Sequence, residues 1–443
     1  MAAEDELGTQ GVELLRRLIQ IDTANPPGNE QPAQELLAET LGAAGFECEL
    51  LAARPGRPNL VARLRGSDQG PTLCLLGHAD TVPADPSEWS FDPWVGDVVD
   101  GEVRGRGAQD MKSQVAAEVA AAAALGHEGW RPRRGELLVV TTADEEMGAA
   151  AGAQWLCREH PDKVRSDYVL NEGGGLSFEL DGRRFYTLCV GEKGVCRFKL
   201  RARGKAGHAS VPALGDNALL KLAPALERLD RQPPPEATAE AVEFLQTLED
   251  SELDTEDPNG LAAALDRLRA GAPEAAAYLA EPMLHATLVP TLASASRSVN
   301  VIPSQAEVTV DCRVSPGIGK AEALATARAA LGDAAEELDL VPTETVVGNR
   351  SPTRSPLAEM IETWLSQSDP GATLVPIVMA GFSDSNWFRK AFDSAVVYGF
   401  CPQREMSLRE ATPLVHNADE RASAADIGLA TRFYRDIVLA ALG

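Results

Sequence analysis

Residues 72–83 of the chain read TLCLLGHADTVP, an apolar run that ends in a histidine and an aspartate two positions apart. Thr72–Gly77 is typical of a buried strand, and His78 and Asp80 follow directly at its carboxyl end. Because side chains alternate along an extended chain, the two polar side chains share one face if the strand conformation continues. The pair by itself leaves two interpretations open, a strand capped by a polar loop or part of a functional site.

The composition indicates a folded protein with an acidic surface. A chain of 443 residues is too long for one compact core and predicts two or three domains. Hydrophobic residues make up 44% and charged residues 24%, which is ordinary for a globular protein. The 41 Lys and Arg against 66 Asp and Glu leave a net charge of −25. We expect no nucleic-acid partner, because such a surface repels phosphate.

Targeting and cysteine patterns point to the cytoplasm. The first residues, MAAEDELGTQ, lack the basic and apolar regions of a signal peptide. The sequence also lacks an apolar run of about 18 residues, the length that spans a bilayer, so we expect no membrane partner. Seven scattered cysteines without a CxxC pair argue against a disulfide framework and against a cysteine-based zinc site. We therefore expect a cytoplasmic protein.

Strands that alternate with helices predict an α/β domain. Apolar strands at Thr72–Gly77, Glu136–Thr142 and Tyr168–Asn171 are separated by helical patterns at Met111–Leu125 and Ala149–Cys157. This alternation favours a mixed, mostly parallel sheet with helices on its faces.

The pattern changes in the middle of the chain. Val195–Arg203 and Ala306–Arg313 alternate polar and apolar residues, as strands with one solvated face do. Between them, the acidic, Pro-rich stretch Gln232–Ala276 predicts irregular helix and loop. Helix Lys320–Leu331 and strand Leu338–Val346 are predicted to resume the α/β domain. The resulting organisation is an α/β domain interrupted by an inserted α+β domain, with boundaries at 1–193, 194–315 and 316–443.

Acidic residues recur at the ends of the predicted strands. Asp110 precedes the alanine-rich helix, Glu145 and Glu146 follow strand 136–142, and Glu172 follows strand 168–171. Each has a structural explanation, since Asp is a good helix N-cap and acids favour helix N-termini. Independent capping does not explain why all of them fall on one rim, where an open α/β sheet binds ligands. One His with several carboxylates and no thiolate suits zinc or a similar divalent ion.

Five segments together resemble a known family. These are GHADTVP at 77–83, GRGAQDMK at 105–112, TADEE at 142–146, Asn171-Glu172, and PLVHNADE around His416. Their order and spacing resemble the co-catalytic zinc hydrolases that include acetylornithine deacetylase, succinyl-diaminopimelate desuccinylase, aminoacylase and bacterial glutamate carboxypeptidase. The resemblance covers nearly the whole chain and implies a zinc-peptidase-like α/β catalytic domain with an inserted lid or dimerisation domain.

The resemblance implies two Zn²⁺ per chain, for which Co²⁺ or Mn²⁺ are possible substitutes. One ion would be held by His78 and Glu172, the other by Glu146 and His416, and Asp110 would bridge both. Glu145 would act as general base, and the Asp80 side chain would orient His78.

Further residues are assigned through the same resemblance. His208, in the segment KAGHAS, would stabilise the oxyanion, in its own subunit or in a partner's. Asn300 and Arg313 would hold a substrate carboxylate, for which Arg is well suited. The backbone of Gly381 would line the substrate pocket. Arg313 can alternatively be interpreted as a surface residue of a strand, without a role in substrate binding.

The sequence leaves the reaction partly open. We expect a metal-dependent amidohydrolase or metallopeptidase, such as a deacylase or carboxypeptidase, that acts on a small N-acyl amino acid or short peptide with a free carboxylate. A related aminopeptidase or dipeptidase is the nearest alternative, and a non-catalytic binding protein on the same fold is a more distant one. A glutamate at 172 favours the deacylases over the glutamate carboxypeptidases. We expect a homodimer formed through the inserted domain, although the length of 232–276 departs from the smaller relatives.

Overall fold

The computed structural model describes residues 2–231, 233–250, 253 and 258–443, with the backbone alone at 2–5 and 258–259. Parts of the predicted irregular stretch, residues 232, 251–252 and 254–257, lie outside the described residues. The strands are, in chain order, β1 (Glu47–Arg54), β2 (Arg57–Arg65), β3 (Asp68–His78), β4 (Val98–Val99), β5 (Glu102–Arg104), β6 (Arg134–Thr142), β7 (Tyr168–Asn171), β8 (Ser177–Leu180), β9 (Arg183–Glu192), β10 (Gly194–Arg203), β11 (Gly207–His208), β12 (Thr287–Ser294), β13 (Val301–Ile302), β14 (Gln305–Val314), β15 (Leu338–Val346), β16 (Thr373–Met379), β17 (Val396–Gly399) and β18 (Arg421–Ser423).

Helices separate most of these strands. They are α1 (Ala2–Ile19), α2 (Gln31–Ala43), α3 (Lys112–His127), α4 (Ala153–Glu159), α5 (Pro161–Val164), α6 (Ala218–Leu229), α7 (Ala239–Glu249), α8 (Pro258–Gly271), α9 (Pro273–Ala275), α10 (Glu281–Leu284), α11 (Lys320–Leu331), α12 (Pro356–Ser368), α13 (Ser385–Ala391), α14 (Leu408–Ala411) and α15 (Ala424–Leu442). None of the helices in the described ranges has the length and apolar character that a bilayer crossing requires.

The large domain is built on a nine-stranded sheet. Its strand order is β1-β2-β6-β3-β7-β17-β9-β16, with β8 paired to β9. The four central strands, β6, β3, β7 and β17, run parallel, and antiparallel pairs occur toward both edges. The predicted mixed sheet with a parallel centre is therefore confirmed. Parallel central strands end at the same edge, which places the residues that follow them side by side.

The alanine-rich helix α3 is buried between the sheet and three other helices. Most of its side chains are buried, and it packs against α1, α2 and α15 in the principal hydrophobic core. Alanine is the strongest helix former and has a small side chain, so helix axes can approach closely. The start of α3, directly after Asp110, is consequently held in a fixed position beneath the edge of the sheet.

The inserted domain contains a four-stranded antiparallel sheet. Its strand order is β12-β14-β10-β15, and α6 and α11 cover one face. Fully buried Phe198 and Val310 lie in this second core. The two short strands β11 and β13 form a separate ribbon.

The predicted boundary at residue 315 is wrong. β15 pairs with β10 along Val195–Ala202, and α11 contributes Ala323, Ala327 and Leu331 to the core of the inserted domain. The chain therefore returns to the large domain after Val346 rather than after Val314. Sequence periodicity placed 320–346 in the α/β domain because a helix followed by a strand has the same local pattern in either domain.

The chain re-enters the large domain close to the point at which it leaves it. A Cβ added to Gly348 would lie 2.3 Å from the backbone oxygen of Glu192 and 2.4 Å from the backbone nitrogen of Gly194. Only glycine permits two chain segments to approach so closely. The two connections between the domains therefore lie side by side.

Part of the inserted sequence leaves the inserted domain and packs on the large one. We call the described residues between 233 and 284 the return segment. Its helices α7 and α8 and the π-helical segment Ala276–Ala280 form a third hydrophobic core with β8, β9 and β16, in which Phe244 packs near Phe178 with ring centroids 6.4 Å apart. The prediction of irregular helix and loop here was partly wrong, because two helices of 11 and 14 residues form within it.

The corrected boundary can be tested with Phe198→Ala. Removal of this buried ring should destabilise the inserted domain by about 3–5 kcal/mol. Hydrogen exchange should then accelerate together in β10, β14 and β15, because local unfolding follows cooperative units. Phe388→Ala, an equally buried change in α13 of the large domain, is the matched control. If residues 338–346 lost protection in the control and not in Phe198→Ala, the boundary proposed here would be incorrect.

Candidate metal centre

The candidate site lies at the carboxyl edge of three neighbouring parallel strands. His78 is the last residue of β3, Glu145 and Glu146 lie in the turn after β6, and Glu172 follows β7. Asp110 joins them from the start of α3. The strand order therefore gathers on one rim the acidic residues that the sequence places at separate strand ends.

Asp110 lies between two histidines. Its Oδ1 is 3.1 Å from His78 Nε2, and its Oδ2 is 3.0 Å from His416 Nε2. The N-cap position of α3 belongs to Met111, and no side chain caps this helix end. The interpretation of Asp110 as a helix cap is therefore wrong. A carboxylate with one oxygen toward each histidine is the arrangement that a bridging ligand requires.

Three glutamates surround the same histidines. Glu146 Oε2 is 3.1 Å from His416 Nε2. Glu172 Oε1 is 3.8 Å and Glu145 Oε2 is 3.9 Å from His78 Nε2. All the residues that the resemblance implies as metal ligands are thus in one cluster, together with the implied general base.

The cluster offers more than one grouping of ligand atoms. His78, Glu145 and Glu172 present atoms that lie within 4.8 Å of one another, and so do His78, Asp110 and Glu146. These groups differ from the two ligand sets that the resemblance implies, because Glu145 is as near to His78 as Glu172 is. Distance alone therefore does not separate the ligands from the implied base.

The donor set suits a zinc-like cation. Ligand atoms at about 2.0–2.1 Å from a tetrahedral zinc lie roughly 3.3 Å apart. The separations just described run from 3.0 Å to 3.9 Å. Glu146 Oε1 is buried without a hydrogen-bond partner, as expected for an oxygen that faces an ion. Imidazole nitrogens and carboxylates also accept Co²⁺ and Mn²⁺.

Protons bound to the glutamates and histidines offset the negative charge of the cluster when no cation is bound. Burial raises the pKa of Glu145 and of Glu172 well above the usual range for glutamate. Hydrogen bonds to Asp110 and Glu146 raise the pKa of His416 to about 10. Burial alone would raise the pKa of Asp110, but hydrogen bonds from both histidines bring it below its usual value. Because metals bind the deprotonated ligands, we expect protons to leave as a cation enters.

Asp80 supports the turn that carries the two glutamates. Its carboxylate accepts the backbone N–H groups of Glu145 at 3.1 Å and Glu146 at 3.2 Å. His78 Nδ1 lies 3.0 Å from the backbone oxygen of Asp80 and 3.6 Å from the nearer carboxylate oxygen. The expected orienting role therefore needs correction, because the backbone carbonyl of Asp80 takes the imidazole hydrogen bond. Burial raises the pKa of the Asp80 carboxyl to about 6.

A buried network fixes Asp80 from behind. Asn25 Nδ2 donates to Asp80 at 2.9 Å and to Asp144 at 3.2 Å. Arg57 donates to Asp144 at 3.0 Å and forks onto the fully buried Glu30. Of this network the sequence analysis quoted only Asp144, within TADEE, and gave it no role; Asn25, Glu30 and Arg57 belong to none of the quoted motifs. Their only signal was polar character at positions that the fold buries.

Asp384 is a second acid that sequence reasoning missed. It is buried, its Oδ2 accepts the Thr142 hydroxyl at 2.5 Å, and its Oδ1 has no partner. Burial raises the pKa of this carboxyl to about 7. The sequence assigned only the backbone of the loop at Gly381 to the site. Its acidic end, Ser383-Asp384, was the available signal.

The remaining predicted residues lie on the inserted domain. His208 is exposed on the β11–β13 ribbon, its Nδ1 2.7 Å from the Ser210 hydroxyl, and the Asn300 backbone oxygen accepts the neighbouring N–H of Ala209 at 3.0 Å. His208 and Asn300 are thus together, but no described contact joins them to the metal cluster. Arg313 pairs with Asp311, and its Nη1 lies 3.5 Å from the backbone oxygen of Ala380.

A cavity of about 520 Å³ opens from the cluster. Asp110, Glu145, Glu146, Glu172 and His416 line its inner end, and the loop at 380–382 lines a side wall. A volume of this order suits a small organic ligand. Gly381, whose backbone is expected to line the substrate pocket, is one of the residues that line this cavity, and Arg313 lies close to the adjacent carbonyl of Ala380.

Comparison with known proteins gives the family. Residues 74–440 match the model of peptidase family M20/M25/M40. The chain belongs to this family. It is therefore an enzyme, a metal-dependent hydrolase of the metallopeptidase and amidohydrolase class, and the predicted resemblance is confirmed.

Several curated relatives are succinyl-diaminopimelate desuccinylases. The one from Xanthobacter autotrophicus is 38% identical over 219 residues, which are 47% of this chain and 54% of the relative. The match thus spans about half the length of this relative. The one from Paracoccus denitrificans is 28% identical over 437 residues, 96% of this chain and 97% of the relative.

Solved structures share the fold. An M20 family metallo-carboxypeptidase from Sulfolobus solfataricus is similar with a TM-score of 0.72 at 18% identity, covering 97% of this chain and 98% of that one. Human carnosine dipeptidase 1 gives a TM-score of 0.69 at 15% identity, with 99% and 97% covered. At these identities the likeness establishes the large domain with its inserted domain, and no more.

The bridging position of Asp110 predicts its effect on metal content. We expect zinc-reconstituted protein to hold about two ions per chain. Asp110→Ala should reduce this to fewer than about one, because both ions lose a ligand. Elemental analysis after gel filtration measures the ratio, with Asp162→Ala, an exposed aspartate on α5, as control. Unchanged zinc content in Asp110→Ala would contradict the bridging assignment.

Proposed function

We propose that this protein is a di-zinc hydrolase that cleaves the amide bond of a small N-acyl amino acid or short peptide with a free carboxylate. The observation that carries the proposal is the convergence of two histidines and four carboxylates on one rim of the sheet, at the mouth of a cavity of about 520 Å³. Family membership supports the reaction class.

The residues that would hold the ions are those of the cluster. His78 and Glu172 would hold one, Glu146 and His416 the other, with Asp110 shared. Divalent ions at these positions supply Lewis-acid polarisation of the scissile carbonyl and lower the pKa of water. The chain contributes ligands, orientation and a proton carrier.

Glu145 is the proposed proton carrier. It occupies the cavity wall beside the other carboxylates, and burial raises its pKa well above the usual value. A carboxyl with a raised pKa can take a proton from the attacking water and then deliver it to the leaving amine. The Asp80 carboxylate accepts a hydrogen bond from the backbone N–H of Glu145 and so holds the backbone of Glu145 in place. Asp80 is thus proposed as a positioning residue.

Arg313 is proposed to bind the substrate carboxylate, with Asn300 and the backbone of Gly381 beside it. The guanidinium bonds Asp311 through Nε and reaches toward the Ala380 carbonyl, at the wall of the cavity. His208 is proposed to stabilise the oxyanion. Because it lies on the exposed ribbon, it would require closure of the inserted domain or a contribution from a second subunit.

A homodimer through the inserted domain remains part of the proposal. Leu219 and Leu220 on α6 and Leu292 on the edge strand β12 are exposed at 48%, 68% and 69%. Exposed apolar side chains grouped on one domain, next to an unpaired strand edge, favour association. The dipeptidase and aminopeptidase alternative predicts instead that a free substrate amine is required for turnover, which N-acyl amino acids lack.

Glu145→Gln tests the proton carrier. We expect kcat to fall by roughly 10²–10⁴-fold, because the amide cannot accept a proton. Zinc content should stay near wild type, since all five proposed ligands remain. A panel of N-acyl amino acids and dipeptides with steady-state kinetics measures the loss, with the exposed Glu39→Gln as control. Wild-type turnover in Glu145→Gln would refute the assignment.

Arg313→Ala tests carboxylate recognition. KM for substrates with a free carboxylate should rise about 10- to 100-fold, since hydrogen bonds between charged groups contribute roughly 1.5–3 kcal/mol. The amidated analogue of the same substrate should be little affected. Arg197→Ala is a matched control, because Arg197 also bonds Asp311, at 2.8 Å. Equal penalties for the free acid and the amide in Arg313→Ala would make its role structural.

A further inference from the structure

The cavity beside the metal cluster has a wall of a different character from its inner end. Its inner end carries the carboxylates already described, whereas apolar side chains form much of the remainder. These include Leu176, Leu279, Ile377, Met379, Phe382 and Leu408. A volume of about 520 Å³ leaves room for more than the scissile amide and its carboxylate.

The return segment supplies the outer part of this wall. Tyr278 and Leu279 lie in the π-helical segment Ala276–Ala280 and line the cavity. Leu279 is buried in the third hydrophobic core, which holds this segment against β16. Tyr278 also lines the cavity and is 41% exposed, so the side chain is accessible to a ligand. The part of the return segment that borders the site thus lies just beyond the stretch Gln232–Ala276 that the sequence predicted as irregular helix and loop.

The charge of the wall limits what it can hold. The described lining residues include no lysine and no arginine. Arg313 lies behind the Ala380 carbonyl and is already assigned to one substrate carboxylate. A second anionic group, such as the terminal carboxylate of a succinyl chain, would lie against the apolar part of the wall, which has no lysine or arginine to pair with it. Burial of an unpaired charge is strongly unfavourable.

We propose that this cavity selects substrates with an apolar group next to the scissile amide, and that Tyr278 and Leu279 of the return segment form its specificity-determining wall. The proposal rests on the proposed function, since it names the substrate class of the same site. The apolar group is either the acyl chain or the amino-acid side chain. Both present the same chemistry to the wall.

Two substrate series show whether the acyl chain or the amino-acid side chain provides the apolar group. N-acetyl-, N-hexanoyl- and N-succinylglycine vary the acyl group, and N-acetylglycine, N-acetylnorleucine and N-acetylaspartate vary the side chain. In one series kcat/KM should rise at least about tenfold for the apolar member, because each buried methylene group contributes roughly fourfold. The anionic member should be the poorest of its series. No gain for either apolar member, or a preference for either anionic one, would overturn the proposal.

Binding without turnover separates this proposal from the proposed function. Calorimetric titration of the same amides into zinc-loaded Glu145→Gln should show the same apolar preference. If wild type hydrolysed none of the amides but this variant still preferred the apolar ones, the proposed function would fail and the apolar site would stand. Equal binding of apolar and anionic amides would overturn the apolar site whatever the turnover.

Variants of Tyr278 locate the preference. The preference is measured as kcat/KM for the apolar substrate divided by kcat/KM for its parent, N-acetylglycine. Tyr278→Ser should lower this ratio by about threefold or more, because the ring no longer covers the apolar group. Tyr278→Arg should shift the preference toward the anionic member, since it supplies the missing cation. Leu50→Ser and Leu50→Arg, at a residue of equal exposure (41%) on the far edge strand β1, are matched controls. Unaltered ratios in both Tyr278 variants, or equal changes in the Leu50 variants, would remove the return segment from specificity.

Discussion

Mutual repulsion among the carboxylates at the edge of β6, β3 and β7 is the constraint around which the large domain is organised. Asp110 and three glutamates lie within hydrogen-bonding or near-contact distance of two histidines. Buried charges of one sign are tolerated only with protons or cations among them. Both solutions need rigid surroundings, because side chains that could swing apart would relieve the repulsion. The parallel strands and the buried helix α3 provide that rigidity.

The supporting network shows how the constraint is met. Asp80 is held by Asn25, and through Asp144 this pair connects to Arg57 and the buried Glu30. The single positive charge of the guanidinium offsets acids behind the cluster, so the acids in front are left for metal ions. Two consecutive backbone N–H groups donate hydrogen bonds to the Asp80 carboxylate and so orient neighbouring glutamates that are proposed to serve different purposes. Ligand, proton carrier and support are thus parts of one hydrogen-bonded unit.

Much of this could be predicted from the sequence. The parallel sheet, the His78 strand end and the acidic turns followed from periodicity and from where parallel strands end. What sequence could not give was any pairing between distant segments. β15 has the local pattern of an α/β strand, and only its pairing with β10 assigns it to the inserted domain. Arg57 is similarly unremarkable in its own segment, and only burial against Glu30 and Asp144 gives it a role.

Because Gly348 approaches Glu192 and Gly194 closely, the chain enters and leaves the inserted domain at nearly the same point. A domain inserted in this way could be exchanged between relatives without disturbing the large domain. The return segment prevents such an exchange, because it belongs to the inserted sequence yet packs on β16 of the large domain. Lys193, at the junction, also donates hydrogen bonds to the backbone oxygens of Pro282 and His285. Recombination at these junctions would therefore replace part of the ligand cavity together with the inserted domain. An exchange of the inserted sequence would therefore replace Tyr278 and Leu279 in the wall of the cavity, although the metal-binding rim would stay with the large domain.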